Sequence, residues 1–139
     1  MNKTIITVET TVAAPIEKIW AYWTEPTHIV NWNNASDDWH TPRATNDLQV
    51  GGRFLSRMEA RDGSFGFDFS GTYTAVEPYK RIAYIIDDGR KVQIDFIPEG
   101  DNYKIVEAFE AEETHTIEMQ QGGWQSILNN FKKDVETSL

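Results

Sequence analysis

Glu107 is the residue whose position in the sequence points most directly to chemistry. It lies between Ile105 and Phe109 in an alternating segment, so a strand here places its carboxyl on an apolar face. An ionised carboxylate on such a face is costly unless it is paired, and Arg53 and Arg57 are the candidates to compensate it. We predict that Glu107 anchors a ligand hydroxyl or amine. A strand bulge or an exposed strand end is the structural alternative.

The other residue types that carry chemistry lack the spacing of a catalytic or metal site. His28, His40 and His115 are isolated, no serine has a Gly-x-Ser-x-Gly context, and the glycine pairs lack a phosphate-binding spacing. The chain has no cysteine, which excludes a disulfide framework and a thiol nucleophile. We therefore predict no catalytic residue, no metal and no cofactor. A cyclase or hydrolase that uses Glu107 stays open as the alternative to a protein without enzymatic activity.

The composition suits one folded domain over residues 1–139, since 40% of the residues are hydrophobic and 12% are aromatic. The net charge of −9 disfavours nucleic acid as a partner. No apolar run reaches the length of a membrane span or a signal peptide, so we expect a cytoplasmic protein without membrane insertion. A protein partner or a homodimer stays open.

The hydrophobic periodicity indicates a strand, two short helices, about six antiparallel strands and a long C-terminal helix. Such an order predicts an α+β fold, in which a curved antiparallel sheet of six to seven strands surrounds the last helix. The predicted strands cover residues 4–12, 53–60, 65–75, 81–86, 92–96 and 103–110, and the last helix covers residues 117–136.

Residues 33–49 interrupt this pattern, because they are polar and show no clear periodicity before Thr45. Long irregular connections are often lids or binding loops. We predict that Trp32, Trp39 and His40 lie at an entrance, where Trp39 caps a cavity and residues 37–42 act as a lid. A surface tryptophan that only packs on the domain is the alternative for Trp39.

The inward faces of the predicted strands and of the last helix are rich in large apolar side chains. They either line a ligand cavity or simply fill a closed core. With Trp39 and Glu107, the predicted ligand-binding residues are Phe54, Met58, Phe67, Phe69, Tyr73, Tyr84, Phe96, Phe109, Trp124, Leu128 and Phe131.

The pair Gly122-Gly123 lies inside the predicted C-terminal helix, next to Trp124. Glycine disfavours helix interiors by about 1 kcal/mol relative to alanine, so the pair needs an explanation. We predict that the helix continues through it. The missing side chains would let the sheet or lid approach the backbone, or would enlarge the cavity.

Four segments, taken in order, resemble the START-like, Bet v 1-like superfamily. They are "WAYWTEPTHIVNW", "DDWHTPRATNDLQVGGRF", "DGSFGFDFSGTY" and "VEAFEAEETHTIEMQQGGWQSILNNFKKDVE". Within that superfamily the chain is similar to the bacterial branch related to the activator of the heat-shock-protein-90 ATPase.

The resemblance implies a helix-grip fold with an internal cavity for a small hydrophobic ligand, such as a lipid, a polyketide or a flavonoid-like molecule. Some superfamily relatives are cyclases, which keeps the enzyme alternative open. A chaperone-associated or stress-response interaction protein is a further alternative, although the chaperone-activating role belongs to larger eukaryotic relatives with an additional domain.

Overall fold

A computed structural model describes residues 4–138 of the chain. Over these residues the order is one strand, two helices, six strands and a long helix, which matches the prediction except that the first of the six strands lies in the segment predicted to be irregular. They are β1 (Ile5–Val12), α1 (Ile16–Thr24), α2 (Pro26–Trp32), β2 (Trp39–Asn46), β3 (Arg53–Ala60), β4 (Gly66–Glu77), β5 (Arg81–Ile86), β6 (Lys91–Glu99), β7 (Asn102–Glu110) and α3 (Ile117–Thr137).

The seven strands form one antiparallel sheet in the order β1-β7-β6-β5-β4-β3-β2. The first strand pairs with the last, with Val8 opposite Glu107, so the N-terminal strand closes the sheet beside β7. The sheet curls around α3, and the two short helices follow β1. The predicted α+β helix-grip fold is confirmed.

The core lies between the inward sheet residues and the three helices. Phe131 of α3 is fully buried, and its ring centroid lies 4.8 Å from that of Trp23 and 5.0 Å from that of Trp32. The indole Nε1 of Trp32 donates a hydrogen bond of 2.9 Å to the backbone oxygen of Tyr22. These contacts fix α1 and α2 against the C-terminal helix.

The second half of the segment 33–49 departs from the predicted irregular loop. Trp39 begins strand β2, which pairs with β3 at the edge of the sheet and shifts register between His40 and Arg43. An edge strand with such an irregularity tolerates Pro42, which has no backbone N–H to donate. The prediction of a lid loop is therefore wrong from Trp39 onward, because these residues are held by strand pairing.

The helix α3 begins after Thr116, whose side-chain oxygen accepts a hydrogen bond of 3.1 Å from the backbone N–H of Met119. As predicted, the helix continues through Gly122 and Gly123. A Cβ added at either glycine would meet no heavy atom within 4 Å beyond its own helix turn. The predicted close approach of the sheet or a lid is therefore wrong.

Gly123→Ala should stabilise the protein by about 1 kcal/mol, because alanine has the higher helix propensity and its methyl group meets no neighbour here. Urea unfolding would measure this effect as a higher midpoint. Gly71→Ala is the matched control, since its Cβ would lie 2.5 Å from the backbone oxygen of Ile85 and should destabilise the fold. A lower midpoint for Gly123→Ala would show that the glycine pair has a structural role.

Candidate ligand-binding site

A cavity of about 270 Å³ lies between the concave face of the sheet, α2 and the first half of α3. Its wall combines aromatic and aliphatic side chains with a few polar ones. The lining residues are Trp23, Ile29, Trp32, Asn33, Thr45, Asn46, Phe54, Ser56, Met58, Phe67, Phe69, Tyr73, Ile82, Tyr84, Arg90, Glu107, Trp124 and Ile127.

The sheet side of this wall depends on a glycine. The ring of Phe54 crosses the backbone of Gly71, and a Cβ at Gly71 would lie 2.8 Å from that ring. This close approach brings the centroid of Phe54 to 4.6 Å from that of Tyr84 and to 5.7 Å from that of Phe69. The three rings form a continuous aromatic surface across β3, β4 and β5.

The helix side is formed mainly by Trp124. Its ring stacks on that of Phe109, with centroids 3.8 Å apart and planes at 11°. Trp124 lines the cavity while Phe109 is 1% exposed and does not, so the indole ring separates Phe109 from the cavity.

The structure places the thirteen predicted ligand-binding residues in the cavity wall, in the buried core or, for Trp39, outside both. Eight of them line the cavity, namely Phe54, Met58, Phe67, Phe69, Tyr73, Tyr84, Glu107 and Trp124. Four belong to the buried core instead, namely Phe96, Phe109, Leu128 and Phe131.

Trp39, the thirteenth, also lies outside the cavity wall. Its ring centroid is 6.0 Å from that of Phe65 and 5.9 Å from that of Phe67, at the edge of the sheet. Phe67 lines the cavity and is 43% exposed, whereas Trp39 is not among the lining residues. Trp39 is thus separated from the cavity by Phe67 and does not cap it.

Sequence reasoning missed most of the wall that α1, α2 and the following loop supply. Trp23 of α1 and Ile29 of α2 line the cavity, and neither is among the predicted ligand-binding residues. Asn33 and Asn46 also line the cavity, although both lie in the segment that was predicted to be irregular. Only the packing of these helices against Phe131 shows which of their side chains face the cavity.

Glu107 is 6% exposed and faces the cavity, so the alternative of an exposed strand end is excluded. Within residues 4–138 its carboxyl has no hydrogen-bond or ion-pair partner, and burial raises its pKa to about 8. Neither expected arginine compensates it, because Arg53 pairs with Asp87 at 2.7 Å and Arg57 pairs with Glu59 at 2.8 Å.

Tyr84 is a second buried polar group of the cavity, at 8% exposure. Its hydroxyl has no hydrogen-bond partner among the described residues, and burial, aided by the charge of Glu107, raises its pKa well above the ordinary value. Tyr73 differs, because its hydroxyl donates to Asn46 Oδ1 at 2.6 Å. The Nε of Arg90, the cationic lining residue, lies 2.9 Å from the carboxylate of Asp88.

The site therefore combines an apolar body with polar groups that lack partners among the described residues. Such an arrangement can enclose a small apolar molecule and orient one polar substituent. Within residues 4–138, no group of three histidine, aspartate or glutamate side chains could hold a metal ion. No helix in this part of the chain is long and apolar enough to cross a membrane.

Comparisons with known proteins identify similar proteins but no curated match. The family model for "Activator of Hsp90 ATPase homolog 1-like protein" matches residues 13–136 of the chain. A search of curated proteins finds no match.

Solved structures support the same family. An AHSA1-like protein from Aeromonas hydrophila is 47% identical, with 96% of this chain and 92% of that chain covered and a TM-score of 0.90. Chr148 from Cytophaga hutchinsonii is 55% identical, with 92% and 89% covered and a TM-score of 0.82. A protein from Nitrosomonas europaea is 18% identical, with 94% and 93% covered and a TM-score of 0.81, a likeness of fold alone.

Proposed function

This chain belongs to the activator of Hsp90 ATPase homolog 1-like family, and from this premise we propose that it binds a small hydrophobic molecule in its cavity. The observation that carries the proposal is the aromatic-lined cavity between the sheet and α3. Its apolar walls favour burial of apolar ligand surface, at roughly 25 cal/mol per Å² removed from water.

The cavity volume favours a compact ligand. An apolar cavity of about 150 Å³ accommodates benzene. A volume of about 270 Å³ therefore suits a molecule of one or two rings. Of the ligand classes that the sequence suggests, a compact aromatic polyketide fits this volume better than a lipid.

Binding is better supported than catalysis. Acid–base chemistry in a pocket requires at least two functional groups that converge on the substrate. Glu107 is the carboxyl that lines this cavity, and Arg90, the charged lining residue beside it, is engaged by Asp88. The pKa values of Glu107 and Tyr84 are both raised, so at neutral pH the described residues of the cavity offer two hydrogen-bond donors and no unpaired base.

Naphthalene is a suitable first probe of the cavity, and its binding should raise the unfolding temperature. At ten times its Kd, a ligand that binds only the folded state stabilises it by about 1.4 kcal/mol. Tryptophan emission should change in the same titration, because Trp23, Trp32 and Trp124 all line the cavity.

Ser56→Leu is the variant that should abolish this binding. Ser56 is 5% exposed and lines the cavity, so a leucine there fills part of the volume. Thr7→Leu is the matched control, because Thr7 is exposed on β1. Equal binding by both variants, or no stabilisation of the parent protein by any one- or two-ring compound, would refute the proposed function. A complex with a protein partner that does not use the cavity should persist in Ser56→Leu.

A further inference from the structure

Three buried polar side chains that line the cavity, Ser56 on β3, Tyr84 on β5 and Glu107 on β7, have no hydrogen-bond partner among the described residues. Tyr84 is 8% exposed and Glu107 is 6% exposed, and both line the cavity. Buried polar groups are nearly always hydrogen-bonded, and leaving one unpaired costs free energy. A polar group inside the cavity, either water or part of a ligand, can supply the partner that the described residues do not.

We propose that Tyr84 and Glu107 form a subsite for a carbonyl oxygen, so that the ligand is an aromatic or conjugated molecule that carries a ketone or a similar carbonyl. This inference rests on the proposed function, because it concerns the same cavity. The rings of Phe54, Phe69 and Trp124 hold the apolar body of the ligand. The hydroxyl of Tyr84 and the carboxyl of Glu107 each donate a hydrogen bond to the carbonyl oxygen, which has two lone pairs.

The protonation of both groups at neutral pH supports this assignment. Burial raises the pKa of Glu107 to about 8, so its carboxyl carries a proton at pH 7 and acts as a donor. The pKa of Tyr84 is also raised, so its hydroxyl stays protonated. An apolar site that keeps a carboxylic acid neutral turns it into a hydrogen-bond donor for an acceptor oxygen.

Among residues 4–138, no side chain on the elements around Glu107 neutralises its carboxyl. The cavity-lining residues of α2 and α3 are uncharged, and Val8 of β1 lies opposite Glu107 in the sheet. Tyr73 on β4 donates to Asn46, and Arg90 is paired with Asp88. The alternative is that Glu107 binds a ligand amine. That alternative requires both an ionised Glu107 and a desolvated ammonium group.

Three probes of matched shape separate these readings, namely 2-acetylnaphthalene, 2-isopropylnaphthalene and 1-(2-naphthyl)ethylamine. They present a carbonyl, a hydrocarbon and a cation on the same ring system. By calorimetry at pH 7, we expect the ketone to bind about tenfold more tightly than the hydrocarbon, from two modest hydrogen bonds. Tyr84→Phe and Glu107→Met should each reduce this preference to roughly threefold.

The variant Glu107→Gln tests whether residue 107 donates a hydrogen bond to the ligand or has only a structural role. The amide keeps an N–H donor without a titratable proton, so the preference for the ketone should persist and stay constant with pH. In the parent protein the preference should decline as the pH rises above about 8, where Glu107 ionises.

Each outcome decides between the readings. Binding of the hydrocarbon with no preference for the ketone overturns the carbonyl subsite and leaves the proposed function intact. If the amine binds most tightly of the three, the carbonyl subsite is refuted, and Glu107 instead binds a cationic group of the ligand. Failure of all three probes, in a protein shown to be folded, overturns the subsite and the proposed function together.

Discussion

Glu107→Gln should stabilise the folded protein strongly at pH 9 and have little effect near pH 4.5. The carboxyl has an ordinary pKa of 4.5 and a folded-state pKa of about 8. Between these values the unfolded chain releases a proton that the folded protein retains, so stability is lost as the pH rises through this window. At about 1.36 kcal/mol per pKa unit, the full loss above pH 8 is about 5 kcal/mol.

Urea unfolding of both proteins at intervals from pH 4.5 to pH 9 measures this effect. Subtracting one curve from the other isolates Glu107, because carboxylates such as Asp87 have a lowered pKa and contribute the opposite slope in both proteins. Glu113→Gln is the control for loss of a negative charge at an exposed site. Parallel stability curves for the parent and Glu107→Gln would show that Glu107 is ionised or solvated in the folded state.

Phe131→Ala should destabilise the fold by about 3–5 kcal/mol, the usual cost of truncating a fully buried phenylalanine. Phe131 is 0% exposed and contacts Trp23 and Trp32, so its loss leaves a void where α1 and α2 pack against α3. The measurement is the free energy of unfolding from urea titrations.

Phe67→Ala is the matched comparison, since the same ring is removed from a residue that is 43% exposed. We expect a cost of about 1 kcal/mol there, as for typical substitutions outside the core. The difference between the two variants tests the division between core and cavity wall. Similar losses in both would contradict it.

Side chains alternate between the two faces of a strand, and this alternation explains why the sequence predicts the inward position of Glu107 correctly. Alternation places Glu107 on the face of Ile105 and Phe109, and the structure buries it there. The same alternation also argues against Arg53 and Arg57 as ion-pair partners of Glu107. They flank Phe54, Ser56 and Met58 on β3 with opposite parity, and they pair with carboxylates away from the cavity.

Alternation along a strand does not distinguish residues that line the cavity from residues of the closed core. It predicts which face of the sheet a side chain is on, but not its position on that face. Phe109 and Glu107 share a face, yet Trp124 covers Phe109 and leaves Glu107 open to the cavity. Phe96 likewise packs against Trp20 and Trp23. These contacts join residues far apart in the chain, so no local pattern encodes them.

The sequence by itself determined the order of all elements except β2, the α+β class and the inward position of Glu107, because these follow from local periodicity and turn residues. The helix-grip fold followed from the resemblance to a known superfamily. Only the tertiary structure decided that β2 is an edge strand, that the space beside Gly123 is open, and that Tyr84 and Glu107 line one cavity without partners in the described part of the chain. The physical reason is that strand pairing and cavity shape depend on how the curled sheet and three helices pack together, which is a property of the whole chain.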